Sequence, residues 1–266
     1  MPNPPSADQS ASPDETAGMK RLRELVAKDQ QAAKATGPRL LAESLCVPQA
    51  ATPETLQRAK EQDAAKVEFA KAERVNRLAS QLGKRYSPTR CDLAAYAIYH
   101  DAQKPIVAAV RKLAGRIGES IEHGENLIFL GPVGTGKDFL LAALLYRAAE
   151  SGALCSWLNG QDLFGGFLDR IDTGESDEPK IKAYALAPVL AISDPIPPVG
   201  ELGKFPIGNL YRILDRRYRS LRPTWITMNA ESEADAESQL STPVFDRLQH
   251  NAIVFRCLWP SYREKK

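Results

Sequence analysis

Gly131, Gly134, Gly136 and Lys137 stand at the G-x-x-x-x-G-K spacing of a phosphate-binding loop. Glycines are needed there because no Cβ can stand between the backbone N–H groups and the phosphate oxygens. Those N–H groups curl into an anion nest at a helix N-terminus, where the helix dipole also favours negative charge. Lys137 adds a point charge able to reach the β- and γ-phosphates. The whole stretch of Gly131, Pro132, Val133, Gly134, Thr135, Gly136, Lys137, Asp138 and Phe139 is therefore a candidate nucleotide-binding loop. The residue after the lysine ordinarily offers a hydroxyl to Mg²⁺, and here it is Asp138. Its carboxylate can bind Mg²⁺ directly, but it also sets a negative charge beside the phosphates. A nucleotide with Mg²⁺ is the expected ligand, and the rate of hydrolysis is left open.

The loop has meaning only in context. The apolar run 127–130 has the length and β-leaning composition of a buried strand, and 139–150 is helix-forming. Strand, glycine loop and helix in that order separate a phosphate site from the plain alternative, a glycine-rich turn before a core helix. Such a site also requires an acid for Mg²⁺, a group that orients water, and positive charge for the transition state. Asp194 closes a strand-like run, 187–194, with Ser193 before it and Pro195 after it, where a second acid is usual. As metal ligands the candidates are Asp138 and Asp194. Asn229 sits at the tip of a further strand, 224–228, where it can orient a water or touch the γ-phosphate. Arg247 and Arg263 flank a last strand, 252–258, although an isolated arginine is usually surface solvation.

The remaining elements have to position these groups. Further predicted elements are a helix over 106–117, a strand over 152–158, a helix opening at 159–163, and helices at 180–184, 210–221 and 242–249. Strands alternating with helices imply a parallel sheet covered on both faces. Upstream, 1–18 is rich in Pro, Ser, Asp and Ala and is expected to be disordered. Helices are expected over 19–35 and 40–47, interrupted by Gly37-Pro38 and stopped by Pro48. Thr52-Pro53-Glu54 is an N-terminal helix signal, and that helix should run to residue 82 with Gly83 at its end. It is highly charged with a thin apolar stripe. It is either a solvated helix packed on the main domain or a docking arm for a partner protein.

Composition narrows the class. In 266 residues, 35 Lys and Arg against 33 Asp and Glu give a net charge of only +2, which does not by itself announce nucleic-acid binding. No apolar run approaches the roughly 20 residues that span a membrane, and the N-terminus lacks the shape of a secretory signal. Cys46, Cys91, Cys155 and Cys257 form no C-x-x-C pair, so reduced thiols in a cytoplasmic protein are expected. One local concentration of charge stands out: Arg212, Arg216, Arg217, Arg219 and Arg222 fall within one helix, with Tyr211 and Tyr218 between them. That pattern can follow a phosphate backbone and stack bases. Equally, it can be a solvated face, with some arginines paired across a subunit interface.

Together GPVGTGKD, LAISDP, PTWITMN, FDRL and WPSYR occur in the order and spacing of the DnaC/IstB-like AAA+ ATPases, which are replicative helicase loaders and transposition helpers. The resemblance covers about residues 86–263. It implies an α/β AAA+ P-loop domain over 86–266 with a five-stranded parallel sheet, a short C-terminus without a full lid, and a helical partner-binding region over 19–85. By position, 131–138 resembles Walker A and Ser193-Asp194 the paired-acid Walker B site. Asn229 resembles sensor 1, Arg247 an arginine finger acting on a neighbouring subunit, and Arg263 sensor 2. An alternative alignment makes Asp194 the first acid and Pro195 the missing base. The resemblance implies a homo-oligomeric ATPase, slowed by Asp138 and Ser193, that engages single-stranded DNA and a replicative helicase. The alternatives are a transposition helper and a non-hydrolysing adaptor held together by ATP.

Overall fold

The structure, a computed structural model, describes residues 52–196 and 203–265. Two compact units divide between Glu61 and Gln62. The expected tail at 1–18 and helices at 19–35 and 40–47 lie outside the described residues. Of the first unit, residues 52–61 are described, and they open helix α1 (Pro53–Leu82). Thr52 Oγ1 accepts from Thr55 N at 3.3 Å, as an N-terminal cap should. Gly83 ends the helix at φ 71°, in the left-handed region that favours glycine.

In the second unit the last turns of α1 bury Leu78 and Leu82. Arg74 Nε donates to Ala149 O at 2.9 Å, and Trp157 N donates to Gln81 Oε1 at 2.8 Å. A 3-10 turn and an irregular stretch lead to α2 (Gln103–Gly115) and α3 (Ile117–Glu122). The helix predicted over 106–117 thus begins three residues earlier and breaks at Arg116, whose φ of −122° is not helical. Then follow β1 (Asn126–Leu130), α4 (Lys137–Glu150), β2 (Cys155–Asn159), α5 (Gly160–Thr173), α6 (Glu178–Leu186) and β3 (Val189–Ser193). After these come α7 (Lys204–Arg219), β4 (Thr224–Met228), α8 (Glu233–Leu240), α9 (Thr242–Gln249) and β5 (Ala252–Arg256).

The five strands pair in the order β2-β3-β4-β1-β5, parallel throughout. This is the predicted α/β architecture. Side chains alternate between the two faces. Leu127, Phe129, Val189, Ala191 and Trp225 pack with α2 to α4, and Ile128, Leu130, Leu190, Ile192, Ile226 and Met228 pack with α5 and α7 to α9. Burial on both faces is why these strands are almost continuously apolar. The arrangement has one consequence for chemistry. β3, β4 and β1 are neighbours, so the residues that follow them (Asp194, Asn229 and Gly131) emerge side by side at the C-terminal edge, where ligands of parallel sheets gather.

Candidate nucleotide-binding site

Between β1 and α4 the chain makes the expected loop. Gly134 and Gly136 take φ of 86° and 90°, and α4 begins at Lys137. Lys137 is 5% exposed. Its ammonium donates to Gly131 O at 2.7 Å, Pro132 O at 2.8 Å and Asn229 Oδ1 at 3.0 Å. Burial lowers its pKa, while Asp194 and then Asp138 oppose that shift. The segment after β5 closes over the loop: Cys257 N donates to Leu130 O at 2.7 Å, Trp259 Nε1 to Thr135 O at 2.9 Å, and Tyr262 N to Gly134 O at 2.9 Å. These bonds hold Arg263, in a 3-10 turn (Tyr262–Lys265), at the wall of the same cavity.

The acidic side of the site comes from three elements. Asp138 Oδ1 accepts from Ser193 Oγ at 2.9 Å and Thr227 Oγ1 at 2.7 Å, and Tyr86 OH approaches Oδ2 at 3.4 Å. Burial, then the charge of Asp138, pushes the Tyr86 phenol up to about 12. Asp194 turns out of β3 at φ 43°, with its N–H donating to Thr227 O at 3.1 Å. Burial first, and Asp138 second, raise the Asp194 carboxyl above its ordinary value, while Lys137, Asn229 and Arg263 pull it back. Among the described residues its Oδ1 is buried without a hydrogen-bond partner. An unpartnered carboxylate oxygen beside a second carboxylate suits a hard divalent cation, so Asp138 and Asp194 are the residues that would hold Mg²⁺.

These groups share one cavity of about 590 Å³, within the range of ordinary ligand pockets. Its lining combines Gly134, Thr135, Gly136, Lys137, Asp138, Asp194, Asn229 and Arg263 with the aromatic rings of Tyr86, Tyr96, Tyr99, Phe139 and Tyr262. Charged groups and aromatic rings lining one cavity suit the polyphosphate and the base of a nucleotide. A family model described as IstB-like ATP binding protein matches residues 50–266.

The chain belongs to the IstB-like ATP-binding family.

It is 31% identical over 149 residues to the ATP-binding protein of insertion sequence IS5376 from Geobacillus stearothermophilus, covering 54% of this chain and 57% of that protein. It is 26% identical over 196 residues to the replicative helicase loader DnaC of Buchnera aphidicola subsp. Acyrthosiphon pisum, covering 73% and 78%. The chain spans 57% and 58% of the length of its insertion-sequence relatives. Among solved structures, the DnaC helicase loader superposes with a TM-score of 0.57 at 23% identity, over 67% of this chain and 100% of that one. DnaI superposes with a TM-score of 0.51 at 19% identity, over 65% and 90%. At these identities the superpositions establish the AAA+ P-loop fold alone.

Of the residues singled out in the sequence, 133–139, Asp194, Asn229 and Arg263 line the cavity, whereas Gly131 and Pro132 do not line it and accept from the Lys137 ammonium through their carbonyls. Arg247 does not line it. Its Nε donates to Asp215 Oδ1 at 3.1 Å and its Nη2 to Tyr211 OH at 2.8 Å, with the guanidinium 4.5 Å from the Tyr211 ring centre. The basic helix needs a correction. Arg217, expected among the DNA contacts, is 1% exposed and donates to Thr224 Oγ1, Tyr184 O, Ala187 O and Pro223 O, so it cannot reach a phosphate backbone. Its neighbours are also engaged: Arg212 and Arg216 pair with Glu178, Arg219 pairs with Asp215, and Arg222 donates to Leu186 O. The sequence reading missed Thr227 and Tyr86, which reach Asp138 from 89 and 52 residues away. A hydroxyl on β4, the strand beside β3, was the available signal for Thr227. Nothing local marked Tyr86.

Proposed function

We propose that this protein is an ATP-switched loader of the DnaC type, coupling ATP binding and hydrolysis to engagement of DNA and of a replicative helicase. The carrying observation is the convergence of Lys137, Asp138, Asp194, Asn229 and Arg263 on one cavity that aromatic side chains also line. The loader role draws on the DnaC relative, which this chain matches over 78% of its length. In this reading Lys137 leaves the loop carbonyls for the β- and γ-phosphates, Asn229 orients water, and Arg263 faces the polyphosphate. Mg²⁺, held by Asp138 and Asp194, would neutralise phosphate charge. Arg247, outside its own cavity, serves the nucleotide of a neighbouring copy in a homo-oligomer. Arg212, Arg216, Arg219 and Arg222 exchange their present partners for DNA phosphates, and residues 19–85 dock the helicase.

A second reading keeps the site and changes the task. The matches to insertion-sequence proteins, at 31% identity in one case, favour a transposition helper that selects target DNA. ATP turnover measured with single-stranded and duplex DNA, beside co-elution with the replicative helicase of the same cell, separates the two. The loader should be stimulated by single strands and should co-elute with the helicase when ATP is present. Stimulation by duplex alone, with no helicase bound, would remove the loader reading in favour of the helper.

A further inference from the structure

P-loop proteins generally hold Mg²⁺ with a hydroxyl from the helix that follows the loop and a carboxylate from a neighbouring strand. In this chain both chemistries are present and their places are reversed. The helix position carries the carboxylate, Asp138, and the strand position carries the hydroxyl, Ser193, with Ser193 Oγ 2.9 Å from Asp138 Oδ1. We infer that Asp138 and Ser193 are a reciprocal exchange of cation-holding carboxylate and hydroxyl between α4 and β3, so that the P-loop helix itself supplies the acid for the nucleotide's divalent cation. This rests on the ATP-binding reading and deepens it.

Three features of the site support the exchange. An ionised carboxylate only accepts hydrogen bonds, so the hydroxyls of Ser193 and Thr227 both donate to Oδ1 and fix the orientation of the group. Oδ2 is left with one long contact, from Tyr86 OH at 3.4 Å, and both residues line the cavity. Asp194, whose Oδ1 is buried and unpartnered among the described residues, lines the same cavity as Asp138, so two carboxylates face it. Lys137 does not relieve them by hydrogen bonding, because its ammonium donates to Gly131 O, Pro132 O and Asn229 Oδ1. Asp138 and Asp194 would together hold a divalent cation, which would neutralise both carboxylates. Asp138 is then no lesion in Walker A, and changing it alone to the usual threonine damages the site.

The test is nucleotide affinity of the full chain, measured by calorimetry and with a fluorescent ATP analogue, in Mg²⁺ and in EDTA. The proteins are wild type, Asp138→Thr, Ser193→Asp, the double variant, and Asp138→Asn, which keeps the shape and both accepted hydrogen bonds without the charge. Mg²⁺ should strengthen wild-type binding by about tenfold or more. Asp138→Thr and Asp138→Asn should lose most of that gain. Ser193→Asp should lower the Tm in EDTA, because it crowds three carboxylates. The double variant should recover the Mg²⁺ gain to within about threefold, so that the two changes are strongly non-additive. An undiminished Mg²⁺ gain in Asp138→Asn, or a double variant that merely sums the two losses, would overturn the exchange while leaving nucleotide binding intact. Wild type that binds ATP in neither buffer would overturn the nucleotide reading, and the exchange with it.

Discussion

Replacing Arg217 with methionine deletes a guanidinium that ties α7 to the turn before β3 and to the start of β4. Nε donates to Thr224 Oγ1 at 2.9 Å, Nη1 donates to Tyr184 O at 2.8 Å and Ala187 O at 2.6 Å, and Nη2 donates to Pro223 O. Burial, and then the charge of Arg222, lowers its pKa to about 9, so it is still a cation at neutral pH. Methionine keeps much of the apolar stem and leaves the carbonyls of Tyr184, Ala185, Ala187 and Pro223 without this donor, a buried and unpaired carbonyl costing about 1–3 kcal/mol. Relief of the desolvated charge offsets part of that loss, and deleting one partner from such a buried set typically costs about 3–5 kcal/mol. For a unit of this length that corresponds to a fall in Tm of roughly 6–20 °C. Urea unfolding followed by circular dichroism measures it, with Arg216→Met as the control. Arg216 pairs with Glu178 at the solvent-screened surface, and its loss should cost far less than that of Arg217. Equal stability of Arg217→Met and wild type, with DNA affinity reduced, would refute the structural role and return Arg217 to the DNA-contact set.

Two further substitutions probe the site. The folded state raises the Asp194 carboxyl pKa, so this group favours the fold most when protonated, below its unfolded pKa, and that contribution is lost as pH rises through the folded value. Asp194→Asn should therefore stabilise the nucleotide-free protein at neutral pH, on the order of 1 kcal/mol, with the gain vanishing in acid. The same change should remove stabilisation by MgATP, and thermal unfolding across the pH range with and without nucleotide shows both; destabilisation at neutral pH without nucleotide would contradict the argument. Gly131 has φ 148°, and an added Cβ would lie 2.3 Å from the Cys257 carbonyl oxygen, whose own residue is anchored through its N–H to Leu130 O. Gly131→Ala should cost roughly 2 kcal/mol or more and weaken nucleotide binding. Gly115→Ala, at a helix end with open space around the new methyl, should be tolerated, and similar unfolding midpoints for the two would count against the strain.

The parts of this site that follow from local chemistry were legible in the sequence. The loop lies between a five-residue apolar strand and a helix, so spacing and periodicity together place Gly131, Lys137 and Asp138. Asp194 and Asn229 were legible because each directly follows a strand of a parallel sheet. What escaped depends on contacts distant in sequence. Ser193 is 55 residues from Asp138, and only the adjacency of β3, β4 and β1 brings Ser193, Thr227 and Asp138 together. Charge density misled for a related reason: along α7 the arginines look alike, but Arg217 alone of that set is fully buried in the described structure. Helix α8 has few apolar residues, so hydrophobic periodicity does not mark it, although its cap is visible in the sequence. Ser232 Oγ accepts from Asp235 N at 3.1 Å, and Asp235 reaches back to Glu231 N at 3.0 Å, a variant of the capping box.

The most direct test of the whole account is calorimetric titration of the full chain with MgATP, wild type against Lys137→Ala, followed by steady-state turnover with and without single-stranded DNA. The account predicts saturable binding that the substitution weakens by about tenfold or more, and turnover that rises with single-stranded DNA. Wild type and Lys137→Ala binding ATP equally well, or neither binding it, would contradict the claim that this loop is the nucleotide site.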